Sequence, residues 1–139
     1  MRIALLVLLF SGCGLDELLR EPPQTFYAPP AIYGQWWQQT CECAGVYGNV
    51  NRIRWATLPD EQNGGFLCER AGAHYPGYCY GVWIAPHTIL LSRSQVENEY
   101  TVRHEMLHDL LPRLAHTDPL FFSCVGLSAN PPTVGAPTL

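Results

Sequence analysis

Cysteine content constrains the fold of this chain more than any other feature of its sequence. Six cysteines occur in 139 residues, a length that fits one domain. They are Cys13, Cys41, Cys43, Cys68, Cys79 and Cys124. In an exported protein, this number of cysteines predicts disulfides, each of which typically stabilises a small core by about 2–4 kcal/mol. We therefore expect a small, disulfide-stabilised domain if the chain is exported.

The first residues have the pattern of an export signal. Arg2 supplies a positive charge, and the apolar run 3–10 is too short to span a bilayer, which needs about 20 residues. The run ends in Phe10-Ser11-Gly12-Cys13, which resembles the lipid-attachment motif of bacterial lipoproteins. We predict a signal peptide over 1–12, then a lipidated Cys13 that begins a proline-rich tether over 13–30. A cleaved signal peptide without lipid is the alternative.

Lipidation would leave five cysteines, so at least one of them stays free or pairs between molecules. We expect Cys68 to pair with Cys79 across ten intervening residues, and Cys124 to pair with Cys41 or Cys43. The Cys41-x-Cys43 spacing differs from the CxxC knuckle of structural zinc sites, which argues against a cysteine-bound metal.

Apolar patterning predicts an α+β fold for residues 31–126. Residues 31–45, with two tryptophans, favour a short helix that packs its aromatic side chains into the core. Alternation over 50–56 predicts a strand, and 80–85 and 88–92 predict two more, with a disulfide-closed loop over 59–79. This order of elements predicts a short, mostly antiparallel sheet.

A second helix is predicted before Pro112. Ser94 and Glu97 have the spacing of a capping box, so we expect this helix to run from Gln95 to Leu111. A short apolar segment follows over 119–125, and the proline-containing tail over 127–139 is predicted to be disordered.

The second predicted helix contains His104-Glu105-Met106-Leu107-His108. Residues four apart lie one turn apart on a helix, so both imidazoles can reach one metal ion. Glu105 lies about 100° around the helix from His104, which suits contact with a metal-activated water better than a ligand role. The pattern is typical of HExxH metallohydrolases, with two histidine ligands and a glutamate general base. Two incidental histidines on a solvated helix are the alternative.

A catalytic zinc typically has three protein ligands and one open position. In thermolysin-like proteins the third ligand is a glutamate well after the motif, but no glutamate follows His108. In the extended HExxHxxGxxH pattern it is the last His, but here Leu111 and Leu114 replace the Gly and that His. Neither arrangement is supported. The remaining candidates are His116 and Asp118. We favour His116 as the third ligand of one zinc ion, with Asp118 holding an imidazole N–H. Asp118 as the ligand, as in deuterolysin-like proteins, and His116 as a surface loop residue are the alternatives.

The chain resembles a group of small bacterial secreted or lipoprotein domains of the HExxH zinc metallopeptidase type. Its matching residues are 89–91, 103–108, His116, Pro119 and Phe121, within a region that covers 31–126. The resemblance implies a zincin-like fold with an active-site helix. It also implies that the strand over 88–92 lines the cleft and pairs with an extended peptide; an ordinary core strand is the alternative.

These features predict a membrane-tethered, zinc-dependent metallohydrolase, most simply a peptidase, that acts on peptides or proteins. The bacterial cell envelope, on its periplasmic or extracellular face, is the expected location. Oxyanion stabilisation has four candidates: Tyr100, Tyr80, His74 and His87. A formal charge of -4 without a basic cluster argues against a nucleic-acid partner.

Two other functions are compatible with the same residues. The first is a non-catalytic metal-binding or interaction lipoprotein on the zincin scaffold, since so small a domain offers little cleft wall. The second is a structural envelope protein whose HExxH motif is accidental.

Overall fold

The computed structural model of the protein describes residues 24–73, 76–112, 116 and 118–125. The predicted signal peptide, the lipidation of Cys13 and the predicted tail lie outside these residues. Within the described part of the chain, no helix has the length and apolar character needed to cross a membrane.

Six strands and three α-helices occur in the described residues, which confirms the predicted α+β class. In chain order they are β1 (Thr25–Phe26), α1 (Ile32–Ala44), β2 (Arg54–Leu58), β3 (Phe66–Leu67), β4 (Tyr78–Cys79), β5 (Gly81–Ile84), β6 (Thr88–Ser92), α2 (Glu99–Leu110) and α3 (Leu120–Ser123). Short 3-10 helices occur at Val50–Arg52, Gln62–Gly64, Cys68–Ala71 and Arg93–Gln95.

The main sheet has the strand order β1-β2-β6-β5. Its central pair, β2 and β6, is parallel, whereas the outer pairs β1–β2 and β5–β6 are antiparallel. The sheet is therefore mixed: two of its three strand pairs are antiparallel, as expected, whereas the parallel central pair was not predicted. The long connection from β2 to β6 brings β6 back in the same direction, as parallel pairing requires. β3 and β4 form a separate antiparallel pair.

The main sheet is covered on both faces, and its side chains alternate between two cores. One core lies between the sheet and the helices and includes Trp55, Trp83 and Ile89. The other lies beneath the β3–β4 region and includes Ala56, Val82 and Leu90. Because successive side chains of a strand point to opposite faces, β2, β5 and β6 each supply both cores.

α1 forms where the sequence analysis predicts a helix. Its buried residues are Tyr33, Trp37, Thr40 and Cys41, whose spacing places them on one face. The helix ends at Gly45, whose φ of 66° lies in the left-handed region that commonly terminates helices. This face packs against α2.

α2 begins later than the sequence analysis predicts. The side chain of Asn98 accepts a hydrogen bond from the backbone N–H of Thr101 at 3.3 Å and caps the helix. Residues 93–95 form a separate 3-10 helix, so the predicted capping box of Ser94 and Glu97 is wrong. The predicted end near Pro112 is confirmed, since α2 ends at Leu110.

Two other boundaries differ from the predictions. Asn49 accepts a hydrogen bond from the N–H of Asn51 at 3.0 Å, and the resulting 3-10 turn delays β2 to Arg54. Residues 25–26, assigned to the tether from sequence, form β1 and pair with β2. The domain therefore includes chain that the composition suggested was a linker.

Two disulfides join separate parts of the fold. The predicted Cys68–Cys79 bond is confirmed, and Cys124 pairs with Cys43 rather than Cys41. Cys41 is a free, buried thiol. The Cys43–Cys124 bond connects the end of α1 to the residue after α3, across a sequence separation of 81. It therefore holds the chain beyond α2 against the helical layer.

Candidate metal centre

Three histidine side chains meet beside α2. His104 and His108 lie one turn apart on this helix, with ring centroids 5.0 Å apart. His116 follows the helix end, and its Nε2 lies 2.9 Å from Nε2 of His104 and 3.0 Å from Nε2 of His108. The structure therefore brings the three histidines named from sequence into one cluster that can hold a metal ion.

Hydrogen bonding alone satisfies this cluster poorly. A neutral imidazole nitrogen either donates one proton or accepts with one in-plane lone pair. Nε2 of His116 cannot make two well-aligned hydrogen bonds, to His104 and to His108, with that single site. A cation at the centre removes the conflict, because all three nitrogens can then direct lone pairs at it.

The spacing of the nitrogens also fits a zinc ion. Zinc–nitrogen bonds of about 2.0–2.1 Å in a tetrahedral site place ligand nitrogens roughly 3.3 Å apart. The two Nε2–Nε2 distances of 2.9 and 3.0 Å need only a small expansion to reach that value. Three imidazoles also leave one tetrahedral position open, as catalytic zinc sites do.

The protonation state of the histidines favours metal binding at this site. Burial lowers the pKa of His104 to about 3, and the nearby His108 and His116 add to the shift. Burial also lowers the pKa of His116. Both rings are therefore neutral near pH 7, and the neutral imidazole is the form that binds metals.

Phe121 on α3 packs against all three imidazoles. Its ring centroid lies 5.4 Å from that of His104, 4.5 Å from His108 and 5.1 Å from His116. Phe121 is buried in a small cluster that also includes Leu107 and Cys124. One aromatic side chain therefore restricts the orientation of the whole histidine cluster.

α3 is held beside α2 by polar contacts as well as by a disulfide. The buried guanidinium of Arg103 donates to the hydroxyl of Thr40 at 3.1 Å and to the carbonyl oxygen of Cys124. Arg103 also pairs with Glu99 at 2.8 Å. Together with the Cys43–Cys124 bond, these contacts fix the segment that carries Phe121.

Glu105 lies in the same cavity as the three histidines. This cavity of about 410 Å³ is bordered by β5 and by the chain over 71–73. Burial raises the pKa of Glu105 to about 8, although a backbone hydrogen bond from Trp83 opposes the shift. A carboxyl group with this pKa gains or loses a proton near neutral pH, as a general acid or base requires.

Gly81 makes room for Glu105. A Cβ at residue 81 would lie 2.8 Å from Cγ of Glu105, 2.9 Å from its Oε1 and 3.0 Å from Cδ2 of Leu91. These distances are too short for any side chain on β5 at this residue. Gly81 is therefore required for the position of the carboxyl group.

We expect Gly81→Ala to lower the free energy of unfolding of the metal-free protein by about 1–3 kcal/mol, the usual effect of overpacking. The matched control is Gly34→Ala, because a Cβ on Gly34 in α1 meets no atom within 4 Å. That change should leave stability unchanged or raise it slightly, since alanine favours helix. Urea unfolding measures both variants, and equal stabilities would contradict the packing argument.

Asp118 is not part of the histidine cluster. Among the described residues, the groups near enough to share an ion are His104, His108 and His116. The carboxylate of Asp118 accepts a hydrogen bond from the N–H of Leu120 at 3.0 Å, at the start of α3. This arrangement favours His116 over Asp118 as the third ligand, which stays a prediction.

The four candidates for oxyanion stabilisation differ in their position relative to the histidine cluster. The Tyr100 ring lies 6.0 Å from that of His104, whereas His87 binds Asp109 and borders a second cavity. Tyr80 does not line the cavity of the histidines, and His74 lies outside the described residues. Tyr100 is therefore the described candidate with a ring contact to the cluster, although it does not line the cavity either.

The predicted peptide-pairing strand is wrong. β6 lies between β2 and β5, so both of its edges are already paired and it is an ordinary core strand. The strand that borders the cavity is β5, at the edge of the sheet.

Three residues near the site were missed in the sequence analysis: Gly81, Trp83 and Asp109. One signal for Asp109 was available, because it lies seven residues after Val102 and so falls on the apolar stripe of α2. A carboxylate on a buried stripe needs a partner. The sequence holds no comparable signal for the other two.

Comparison with protein-family models, with curated proteins and with solved structures finds no match to this chain.

Proposed function

We propose that this protein is a zinc-dependent metallohydrolase, and specifically a peptidase, of the zincin-like HExxH type. The observation that carries the proposal is the convergence of three imidazole Nε2 atoms, two of whose separations are 2.9 and 3.0 Å, in the cavity that also holds Glu105. His104, His108 and His116 are the proposed ligands. Glu105 is the proposed general base.

When bound, zinc supplies a Lewis acid that polarises a carbonyl, lowers the pKa of a water to about 7, and lowers the pKa of a nearby carboxyl group. Glu105, whose pKa is about 8 in the metal-free protein, then carries a negative charge at neutral pH. It accepts a proton from the attacking water and passes that proton to the leaving amine. The backbone N–H of Trp83 holds the carboxylate during these transfers.

The edge of β5 supports a peptide substrate. The hydrogen bond from the N–H of Ser92 to the carbonyl of Tyr80 places 80, 82 and 84 in the bonded pairs with β6. The backbone groups of Gly81 and Trp83 therefore point to the outer edge, towards Glu105. Because the N–H of Trp83 is donated to Glu105, an extended substrate along this edge would take its main-chain hydrogen bonds from the other outward backbone groups, those of Gly81 and the carbonyl of Trp83.

The proposed location is the bacterial cell envelope, with lipid attached at Cys13. Support comes from the apolar run 3–10 and the motif that ends at Cys13. Two disulfides fit an oxidising compartment outside the cytosol.

Metal analysis combined with a peptide screen tests the proposed function. We expect one zinc per chain in the purified native protein. We also expect cleavage of at least one peptide in a broad library, loss of cleavage with a zinc chelator, and recovery when zinc is restored. Absence of zinc would contradict the proposal. Stoichiometric zinc without any cleavage would instead assign the non-catalytic metal-binding function.

A further inference from the structure

Trp83 on β5 makes three different contacts with residues of α2. Its indole Nε1 donates to Oδ1 of Asp109 at 3.2 Å in a buried hydrogen bond. Its ring stacks near-parallel to the ring of His108, with centroids 6.3 Å apart and an interplanar angle of 14°. Its backbone N–H donates to Glu105. One residue of β5 therefore touches both a proposed ligand and the proposed base.

The acceptor of the indole is fixed from several directions. The Asp109 carboxylate is fully buried and directly follows His108 in α2. Its Oδ2 accepts a hydrogen bond from Nε of Arg52 at 3.0 Å and forms an ion pair with a terminal nitrogen of the same guanidinium at 2.8 Å. Its Oδ1 contacts Nδ1 of His87 at 2.9 Å. These partners hold the carboxylate in one place, so the indole has a fixed anchor.

This anchor lies on the far side of Trp83 from the reaction. Asp109, Arg52 and His87 line a second cavity of about 410 Å³, and Trp83 lines both cavities. The three anchoring residues do not line the cavity of the histidine cluster. Trp83 therefore gives these residues a route to a bound metal, beside α2 itself and Ala85, which also lines both cavities.

We propose that Trp83 is a positioning residue for the metal centre. Held at its indole N–H by Asp109, it sets the ring orientation of His108 and the place where Glu105 is bound. The inference rests on the proposed function, because it assumes that His108 is a metal ligand. Partners beyond the ligands typically change metal affinity or activity by about 10- to 100-fold when they are removed.

Binding of Co²⁺ in place of zinc, compared between a Trp83→Phe variant and a matched control variant, tests this inference. Trp83→Phe keeps an aromatic ring but removes the donor to Asp109. The control is Trp55→Phe in the same core, because Nε1 of Trp55 is buried without a hydrogen-bond partner among the described residues. Both variants lose similar volume, and only the first loses a hydrogen bond.

The measurements are the dissociation constant for Co²⁺ and the visible absorption of the bound ion, which reports ligand geometry. For Trp83→Phe we expect Co²⁺ binding about 10-fold weaker and an altered spectrum. For Trp55→Phe we expect the native spectrum and an affinity close to native. Equal affinities and spectra in the two variants would overturn the inference while leaving the metal centre intact.

Asp109→Asn provides a second variant in case Trp83→Phe does not fold. The amide oxygen of asparagine still accepts from the indole, so the Co²⁺ spectrum should stay near native although the ion pair with Arg52 is lost. A Co²⁺ spectrum clearly different from that of the native protein would overturn the positioning role. If the native protein does not bind Co²⁺, or binds it without the spectrum of a four-coordinate ion, both this inference and the proposed function are overturned.

Discussion

Replacing His116 with alanine should weaken zinc binding by more than the roughly 100-fold that is the upper end for partners beyond the ligands. The variant keeps His104 and His108 on α2 but removes the nitrogen that lies 2.9 and 3.0 Å from theirs. Two imidazoles cannot complete the three-ligand set of a catalytic zinc site. Competition with a chelator of known affinity measures the loss.

Asp118→Asn is the matched control for this variant. Asparagine at this residue can still accept the hydrogen bond from Leu120 that starts α3, so the fold should be retained. Zinc affinity should then fall by no more than the roughly 10- to 100-fold of a partner beyond the ligands, and by less than in His116→Ala. The reverse outcome, with zinc lost in Asp118→Asn and kept in His116→Ala, would make Asp118 the third ligand.

Replacing Glu105 with glutamine should lower the rate of peptide hydrolysis by about 10²- to 10⁴-fold, the usual contribution of a general base. Glutamine has nearly the same shape and can accept the backbone hydrogen bond from Trp83, but it cannot take a proton from water. Zinc stoichiometry should therefore be unchanged. Initial rates with a peptide found in the screen measure the effect, and a native rate would remove Glu105 from the proposed chemistry.

The same variant has a second signature, in the stability of the metal-free protein. Burial raises the pKa of Glu105 from its ordinary value of 4.5 to about 8, so the folded state holds this proton more tightly than the unfolded state does. The resulting stability is fully present below pH 4.5 and is lost as the pH rises through 8. Glu105→Gln should lack this loss, because its side chain does not titrate. Thermal unfolding at pH 5 and pH 9 compares the two proteins.

The parts of the site that were predicted correctly depend on residues that lie close together in the sequence. His104 and His108 are one helical turn apart in any α-helix, so their approach needs no knowledge of the fold. The disulfide between Cys68 and Cys79 closes a short loop, so it could also be predicted from the sequence. His116 required only that the chain turn back beyond Pro112.

Tertiary contacts decided what the sequence analysis did not predict. Asn98 caps α2, whereas Ser94 instead donates hydrogen bonds to Asp60 and to the carbonyl of Gly64, in a distant part of the chain. β6 became a central strand because the crossover from β2 returns it in parallel, and nothing in its own residues specifies that neighbour. Gly81 matters only because Glu105 reaches it from another element.

X-ray absorption at the zinc edge of the zinc-loaded native protein tests the convergence of the three histidines most directly. The proposed metal centre predicts a first shell with three imidazole nitrogens at about 2.0–2.1 Å and no sulfur. The intensity of outer-shell scattering from imidazole carbon and nitrogen atoms should also correspond to three rings. A shell with sulfur at about 2.3 Å, or with fewer than three imidazoles, would contradict the proposed metal centre.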